Sequence, residues 1–311
     1  MRFTKMHGAG NDYIYIDCMT KEINNPVDLA ITLSKRHTGI GADGLILIMP
    51  SQSADFRMEM YNSDGSRGSM CGNGIRCVAK FIYDKKLSVK DALAIETDSG
   101  IKYVSLHKEN DLVTSVTVDM GRPVLEAQQI PTTLEERTLD DLFGTLPKGV
   151  ESALSASCSE NGKKSMVNTQ KAVKASLMIL GKEYSVTCVS VGNPHAVVFL
   201  DDDVETIDME KIGPCFERHP VFPERINTEF VNVLSRTSMK MRVWERGSGE
   251  TMACGTGTCA VLIGGVLNGY CETEADILTR GGTMHNRWDA GNGRIFMTGP
   301  AVTVFEGEFN L

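Results

Sequence analysis

A chain of 311 residues with 41% hydrophobic and 23% charged residues has the make-up of a globular protein, and its length predicts two domains. Its 32 basic and 40 acidic residues leave a net charge of −8 with no long block of like charge, which argues against a nucleic-acid partner. The longest uncharged apolar run, residues 259–267, falls well short of the roughly 20 residues needed to cross a bilayer, and the opening MRFTKMHGAGND has no apolar signal core, so a cytoplasmic protein with no membrane partner is expected.

The first predicted element is an alternating apolar strand at Tyr13, Ile14, Tyr15 and Ile16. A Cys-Gly-Asn-Gly turn at Cys71 then opens a helix, because Ile75, Val78, Ala79 and Ile82 follow the i, i+3, i+4, i+7 spacing of a single apolar stripe that runs out near Asp84-Lys85-Lys86. The β-branched run LVTSVTVDM predicts a further strand. Residues 126–170 are polar and read as a surface insertion with one short helix and a flexible Ser/Gly segment. Strands follow at YSVTCVSV, at Ala196 to Leu200 and at KMRVW. The last helix follows a Cys-Gly-Thr-Gly turn at Cys254; it is apolar all round, hence buried, and stops at Asn268-Gly269.

These elements repeat. Asn193 lies 182 residues after Asn11 in similar Gly-Asn-led strands, Arg218-His219 lies 182 after Arg36-His37, Cys254 lies 183 after Cys71, and Ile277-x-Thr279 lies 182 after Ile95-x-Thr97. Four matches in one order at almost one spacing imply two related halves. Strands around a central apolar helix, twice over, predict an α+β protein of two pseudo-symmetric domains, each a curved β-sheet or barrel wrapped around a helix.

The nine cysteines are an odd number, which suits reduced thiols better than a secreted disulfide framework, and most of them read as small buried hydrophobes. Cys71 and Cys254 differ in standing just before helix N-termini. The outward amides and positive dipole end there favour a thiolate, lowering a thiol pKa from about 8.5 toward the range of roughly 3.5 to 7.5. The same turns suit a carboxylate, and two of them facing each other across an interdomain cleft would suit stereoinversion, one thiolate removing the α-hydrogen and one thiol returning a proton on the other face. Preorganised amides would then stabilise the developing charge, and no lysine motif or strand-Gly-x-Gly-x-x-Gly-helix unit points to pyridoxal phosphate or a dinucleotide; no cofactor is expected. Three other readings compete. Zinc half-sites at Cys71/Cys77 and Cys254/Cys259 have spacings longer than usual, so no metal is expected. A Cys71–Cys254 disulfide would be a side reaction of a facing pair. A thiol hydrolase using His195 or His219 would leave the second cysteine turn unexplained.

The motifs HGAGNDYIYID, RHTGIGADG, MYNSDGSRGSMCGNGIRC, IETDSGIK, VGNPHAVVF, ERINTEFV, VWERGSGETMACGTGTCA and MTGPAVTVFEGE resemble the diaminopimelate epimerase family. The resemblance implies interconversion of LL- and meso-diaminopimelate without cofactor, in lysine and peptidoglycan synthesis, by a cytoplasmic homodimer with its active site between two domains. It implies Cys71 and Cys254 as acid/base residues, Gly72, Asn73, Gly255 and Thr256 as carboxylate-binding turns, and Asn11, Asn62, Asn193, Asn227 and Arg246 as readers of the distal amino acid group. His195 and Glu245 would set thiol protonation, with Glu245 also lining the substrate site. The domains it implies are residues 1–121 joined by the strand 300–311, and residues 122–299, the latter carrying an insertion that makes the chain longer than the family pattern. A racemase of another amino acid, such as proline or histidine, and a non-catalytic sensor with redox-active thiols are the rival functions.

Overall fold

The computed structural model describes residues 1–134 and 171–310, so most of the stretch read as an insertion, with its short helix and Ser/Gly segment, lies outside the described residues. The chain divides into two compact units, Met1–Asp119 with Thr298–Leu311, and Met120–Met297.

The first unit runs β1 (Arg2–Gly8), β2 (Asn11–Asp17), α1 (Pro26–Ser34), β3 (Gly44–Met49), β4 (Phe56–Asn62), β5 (Arg67–Gly68), α2 (Gly72–Asp84), β6 (Ala92–Thr97), β7 (Gly100–Glu109) and β8 (Leu112–Gly121). Neighbouring strands pair antiparallel except β2 with β3 and β4 with β6, which are parallel. Parallel neighbours need a crossover, and α1 and α2 are those crossovers. The second unit holds β9 (Ala175–Ile179), β10 (Lys182–Ser190), β11 (Pro194–Phe199), α3 (Met209–Glu217), β12 (Asn227–Ser235), β13 (Ser238–Glu245), β14 (Gly249–Thr251), α4 (Gly255–Leu267), β15 (Glu274–Thr279), β16 (Gly282–Trp288) and the first half of β17 (Ile295–Pro300), whose last residues belong to the first unit. From β10 onward the pattern repeats, with the parallel pairs β11/β12 and β13/β15 bridged by α3 and α4. The chain closes with β18 (Val302–Glu308), which pairs antiparallel with β1.

In each unit the helix after the cysteine lies against several strands: α2 packs on β1, β2 and β7, and α4 on β10, β11, β12, β15 and β16. The single stripe expected for α2 is an underestimate, because every residue from Gly72 to Tyr83 is buried. The polar members are satisfied internally. Arg76, fully buried, donates to the carbonyls of Gly72 and Pro300 and to Asn73 Oδ1, and Lys80 donates to the Val113 carbonyl while pairing with Asp84. The alternation expected at Tyr13 to Ile16 is likewise absent, since all four are buried: Ile14 and Ile16 join the α1 cluster of Leu29, Ala30 and Leu33, while the Tyr15 hydroxyl donates to the Gly74 carbonyl beneath α2.

The start of the polar stretch is not surface. Ala127, Ile130 and Leu134 are buried, and the latter two join the second unit's core with Phe216, Phe230 and Trp244, because an apolar residue every three or four positions lets this short segment insert. In that core Phe216 meets Tyr184 and Phe230 edge-on, with ring centroids 5.3 Å apart in both pairs. Helix α3 packs so closely that a Cβ on Gly213 would fall inside the Trp244 indole. Gly213→Ala is therefore expected to lower stability by about 1–3 kcal/mol, the usual cost of overpacking; an unchanged urea midpoint would show that the helix can shift instead.

Candidate functional site

In the first unit Cys71 is the N-cap of α2: its backbone is extended, and its Sγ accepts from the Gly74 N–H at 3.3 Å. The thiol itself donates to Asn11 Oδ1, 3.2 Å away. Asn11 can only present that oxygen, because its Nδ2 donates to Asp43 Oδ2 at 2.8 Å. Asp43 also accepts from the Asp12 N–H and from Arg36, which reaches Asp12 as well; Lys5 closes the network on Asp12 and the Gly41 carbonyl. Burial raises the Asp12 pKa, but Arg36 and Lys5 outweigh it and hold the carboxyl below its ordinary value. Asn62 ends β4 with its amide on Ser66 Oγ, and the Asn73 side chain is turned inward to Arg76, so of Asn73 only the backbone belongs to the turn.

In the second unit Cys254 is the N-cap of α4, with Sγ 3.4 Å from Thr256 Oγ1. Around it stand Glu245, which accepts from the Thr251 hydroxyl, and a fully buried pair in which His195 Nδ1 lies 2.7 Å from Glu229 Oε1. His195 Nε2 lies 3.0 Å from Asn193 Oδ1. Asn227 donates to the Pro194 carbonyl and accepts from the Arg246 N–H, fixing the turn from which the exposed Arg246 guanidinium extends with Nη1 on the Glu224 carbonyl. A guanidinium with further donors beyond that contact has the fork geometry that suits a carboxylate.

The thiolate expected at both helix starts is not the state that Cys254 takes here. Burial first, and then the charges of Glu245 and Glu229, push its pKa well above the ordinary thiol value, against weaker help from Thr256 and the Gly257 N–H. Cys254 is held as a neutral acid. The other thiols in helices and strands behave as packing groups: burial pushes Cys77 up to about 11 and Cys188 up to about 12. Donor atoms of His195, Glu229 and Cys254 all lie within 4.8 Å of one another, the single such cluster of three among the described residues. With Nδ1 and Oε1 at hydrogen-bonding distance, this cluster is spaced for sharing a proton.

Three residues escape sequence reasoning. Glu229 and Glu217 are buried carboxylates, the latter accepting from Trp244 Nε1 and the Gly247 N–H and so bracing the Arg246 turn, and Asp43 orients Asn11. A lone acid inside an apolar strand, as in NTEFVNV, is the signal that could have found Glu229.

Burial also lifts the Glu245 pKa, with Thr251 and His195 opposing and Glu229 adding to the rise. Below the ordinary value of 4.5 the group is protonated both folded and unfolded; as pH rises past it, the unfolded chain releases the proton first and stability falls until the raised folded value is passed. Glu245→Gln removes this loss, so its stability advantage over the parent, measured by urea unfolding from about pH 4 to about pH 8, is expected to widen with pH. An advantage independent of pH would contradict the assigned shift.

A sequence profile described as diaminopimelate epimerase matches residues 3–126 and 187–304. A diaminopimelate epimerase from Acetivibrio thermocellus is 47% identical over 311 residues, covering 100% of this chain and 99% of that one, and one from Methanococcus maripaludis strain C6 is 47% identical with 100% of both covered. These alignments run through the stretch between the halves, so the expected excess over the family length is corrected: these relatives span it too. Among solved structures, a phenazine biosynthesis protein of the PhzF family from Bacillus anthracis shares the fold with a TM-score of 0.64 at 17% identity, covering 100% of this chain and 99% of that one. A hydroxyproline epimerase from Agrobacterium vitis, with bound trans-4-hydroxy-L-proline, does so at 0.61 and 14%, covering 99% and 90%. A profile match in both halves and near-half identity over the full length show that the chain belongs to the diaminopimelate epimerase family.

Proposed function

We propose that this protein is an isomerase that interconverts LL- and meso-diaminopimelate for lysine and peptidoglycan synthesis, with Cys71 and Cys254 as its two acid/base groups. The observation that carries the proposal is the identical placement of both thiols, each capping a buried helix at equivalent points of repeated units, in a chain of this family. Helix starts supply outward amides, here from Gly72-Asn73 and Gly255-Thr256, that suit a carboxylate whose charge grows as the α-proton leaves. Asn11, Asn62, Asn193, Asn227 and Arg246 are assigned to the distal ammonium and carboxylate. The state of Cys254 supports its role as proton donor in one direction: the S–H bond breaks, the carbanion's electron pair forms the new C–H bond, and the thiolate is left on sulfur. In that direction Cys71 acts as the thiolate that first removes the α-hydrogen, and the roles reverse in the other.

The reading extends to a cytoplasmic homodimer. Among the described residues no disulfide is formed, and no helix is long and apolar enough to cross a membrane. Strand β18 leaves Val304 and Phe305 half-exposed, which suits a partner surface, and sedimentation at twice the chain mass is the expected result.

In heavy water the purified protein is expected to place deuterium at Cα of diaminopimelate and to leave proline and hydroxyproline unlabelled. A folded protein that exchanges none, or exchanges proline faster, refutes the substrate assignment. Cys71→Ser and Cys254→Ser are each expected to lower kcat at least about 100-fold, since a hydroxyl is a far weaker acid than a thiol. Near-normal rates in both would sink the two-thiol scheme.

A further inference from the structure

Glu229 occupies a position that its counterpart unit fills with an apolar side chain. Strands β3 and β12 hold the same place in their units, and the first turn of the following helix rests on them. A Cβ on Gly74 would come within 2.7 Å of Ile46 Cδ1, and one on Gly257 within 2.6 Å of Glu229 Oε1. Where the Cys71 turn stands on isoleucine, the Cys254 turn therefore stands on a carboxylate. Glu229 is fully buried, and its Oε2 has no hydrogen-bond partner among the described residues. A charge so placed is costly unless paired, and the partner is His195, equally buried. The ring's two nitrogens face two acceptor oxygens, Glu229 Oε1 at 2.7 Å and Asn193 Oδ1 at 3.0 Å. Two acceptors, one of them a carboxylate, suit a ring that donates from both nitrogens, and it is the carboxylate charge that favours the imidazolium over a neutral tautomer.

We propose that Glu229 is a positioning residue for the reaction: it holds His195 as a buried cation beside Cys254. This rests on the thiol reading above. When Cys254 gives its proton to the substrate carbon, the thiolate left behind is flanked by Glu245 and Glu229, both of which oppose it. His195 is the positive group that offsets them, its donor atom within 4.8 Å of the sulfur. The titratable groups facing this cluster are Cys254, Glu245, Glu229 and His195, with Cys188 of β10 feeling the Glu229 charge from behind. Glutamine at 229 would keep the shape and the acceptor but lose the charge that keeps the ring positive.

The test uses the full-length protein with nitrogen-15 in its histidines, the His195 signal being assigned by its loss in His195→Gln. Near neutral pH the parent ring is expected to be doubly protonated and the Glu229→Gln ring neutral. In parallel, kcat of Glu229→Gln is expected to fall at least about tenfold with KM within about twofold, and Glu229→Asp to recover part of the loss. A merely structural role would move stability and leave the ring's charge alone. A neutral His195 in the parent overturns the proposal without any variant, as does an unchanged ring charge or unchanged kcat in a folded Glu229→Gln. The ring measurement needs no substrate, so a protein that failed to epimerise diaminopimelate would defeat the substrate assignment while leaving this proposal to be decided by the spectrum.

Discussion

The architecture depends on one packing constraint, a helix buried along nearly its whole length in each unit. Burial of α2 and α4 against several strands fixes the axis of each helix, and the N-cap cysteine is the point at which the buried element ends. Small residues are required in that first turn because strands lie directly beneath it. The glycines at 74 and 257 leave under 3 Å between where a Cβ would be and the side chain below. A sulfur held by a rigid helix against a rigid floor is placed to within a rotamer, which is what the proposed proton transfer demands.

On this common scaffold the two units carry different electrostatics. Around Cys71 the polar groups form a partly exposed web of Asn11, Asp43, Arg36 and Asp12, in which opposite charges balance near solvent. Around Cys254 they are buried, and two carboxylates answer to a single histidine. Backbone repetition thus does not carry chemical repetition with it. The proposed two-thiol inversion has no need for identical surroundings; it needs two thiols of suitable proton affinity, and unlike surroundings can tune each of them on a common fold.

Much of this was legible in the chain itself. The two Cys-Gly-x-Gly turns announced helix starts at Gly72 and Gly255, and the apolar run after Cys254 announced a helix without a wet face, which α4 is. The repeat was readable because equal spacing survives when side chains change. What escaped reading were polar residues in places where pattern rules expect apolar ones. Arg76 and Lys80 lie off the apolar stripe that announced their helix, and Glu229 falls where no strand was predicted, because a charged residue is buried only when distant partners satisfy it, and those partners are set by tertiary structure. The protonation of Cys254 escaped for the same reason. Its helix start was visible in the sequence, but the burial that outweighs it, and the carboxylates of β12 and β13 that add to the rise, are set by tertiary structure.

Arg76 ties the opening helix of the first unit to the last part of the chain, donating to the carbonyl of Pro300 while β18 pairs along β1. Ribosomal synthesis delivers these pieces more than 200 residues apart. The second unit, continuous from Met120 to Met297, has all of its strands before the first unit receives its edge. Until then the cation of Arg76 lacks one acceptor and β1 has an open side, the kind of unpaired strand that invites pairing with a neighbour's chain. The unit whose strands come first is thus the one completed last, and its cysteine-bearing helix gains the Pro300 acceptor only after the second unit has been made.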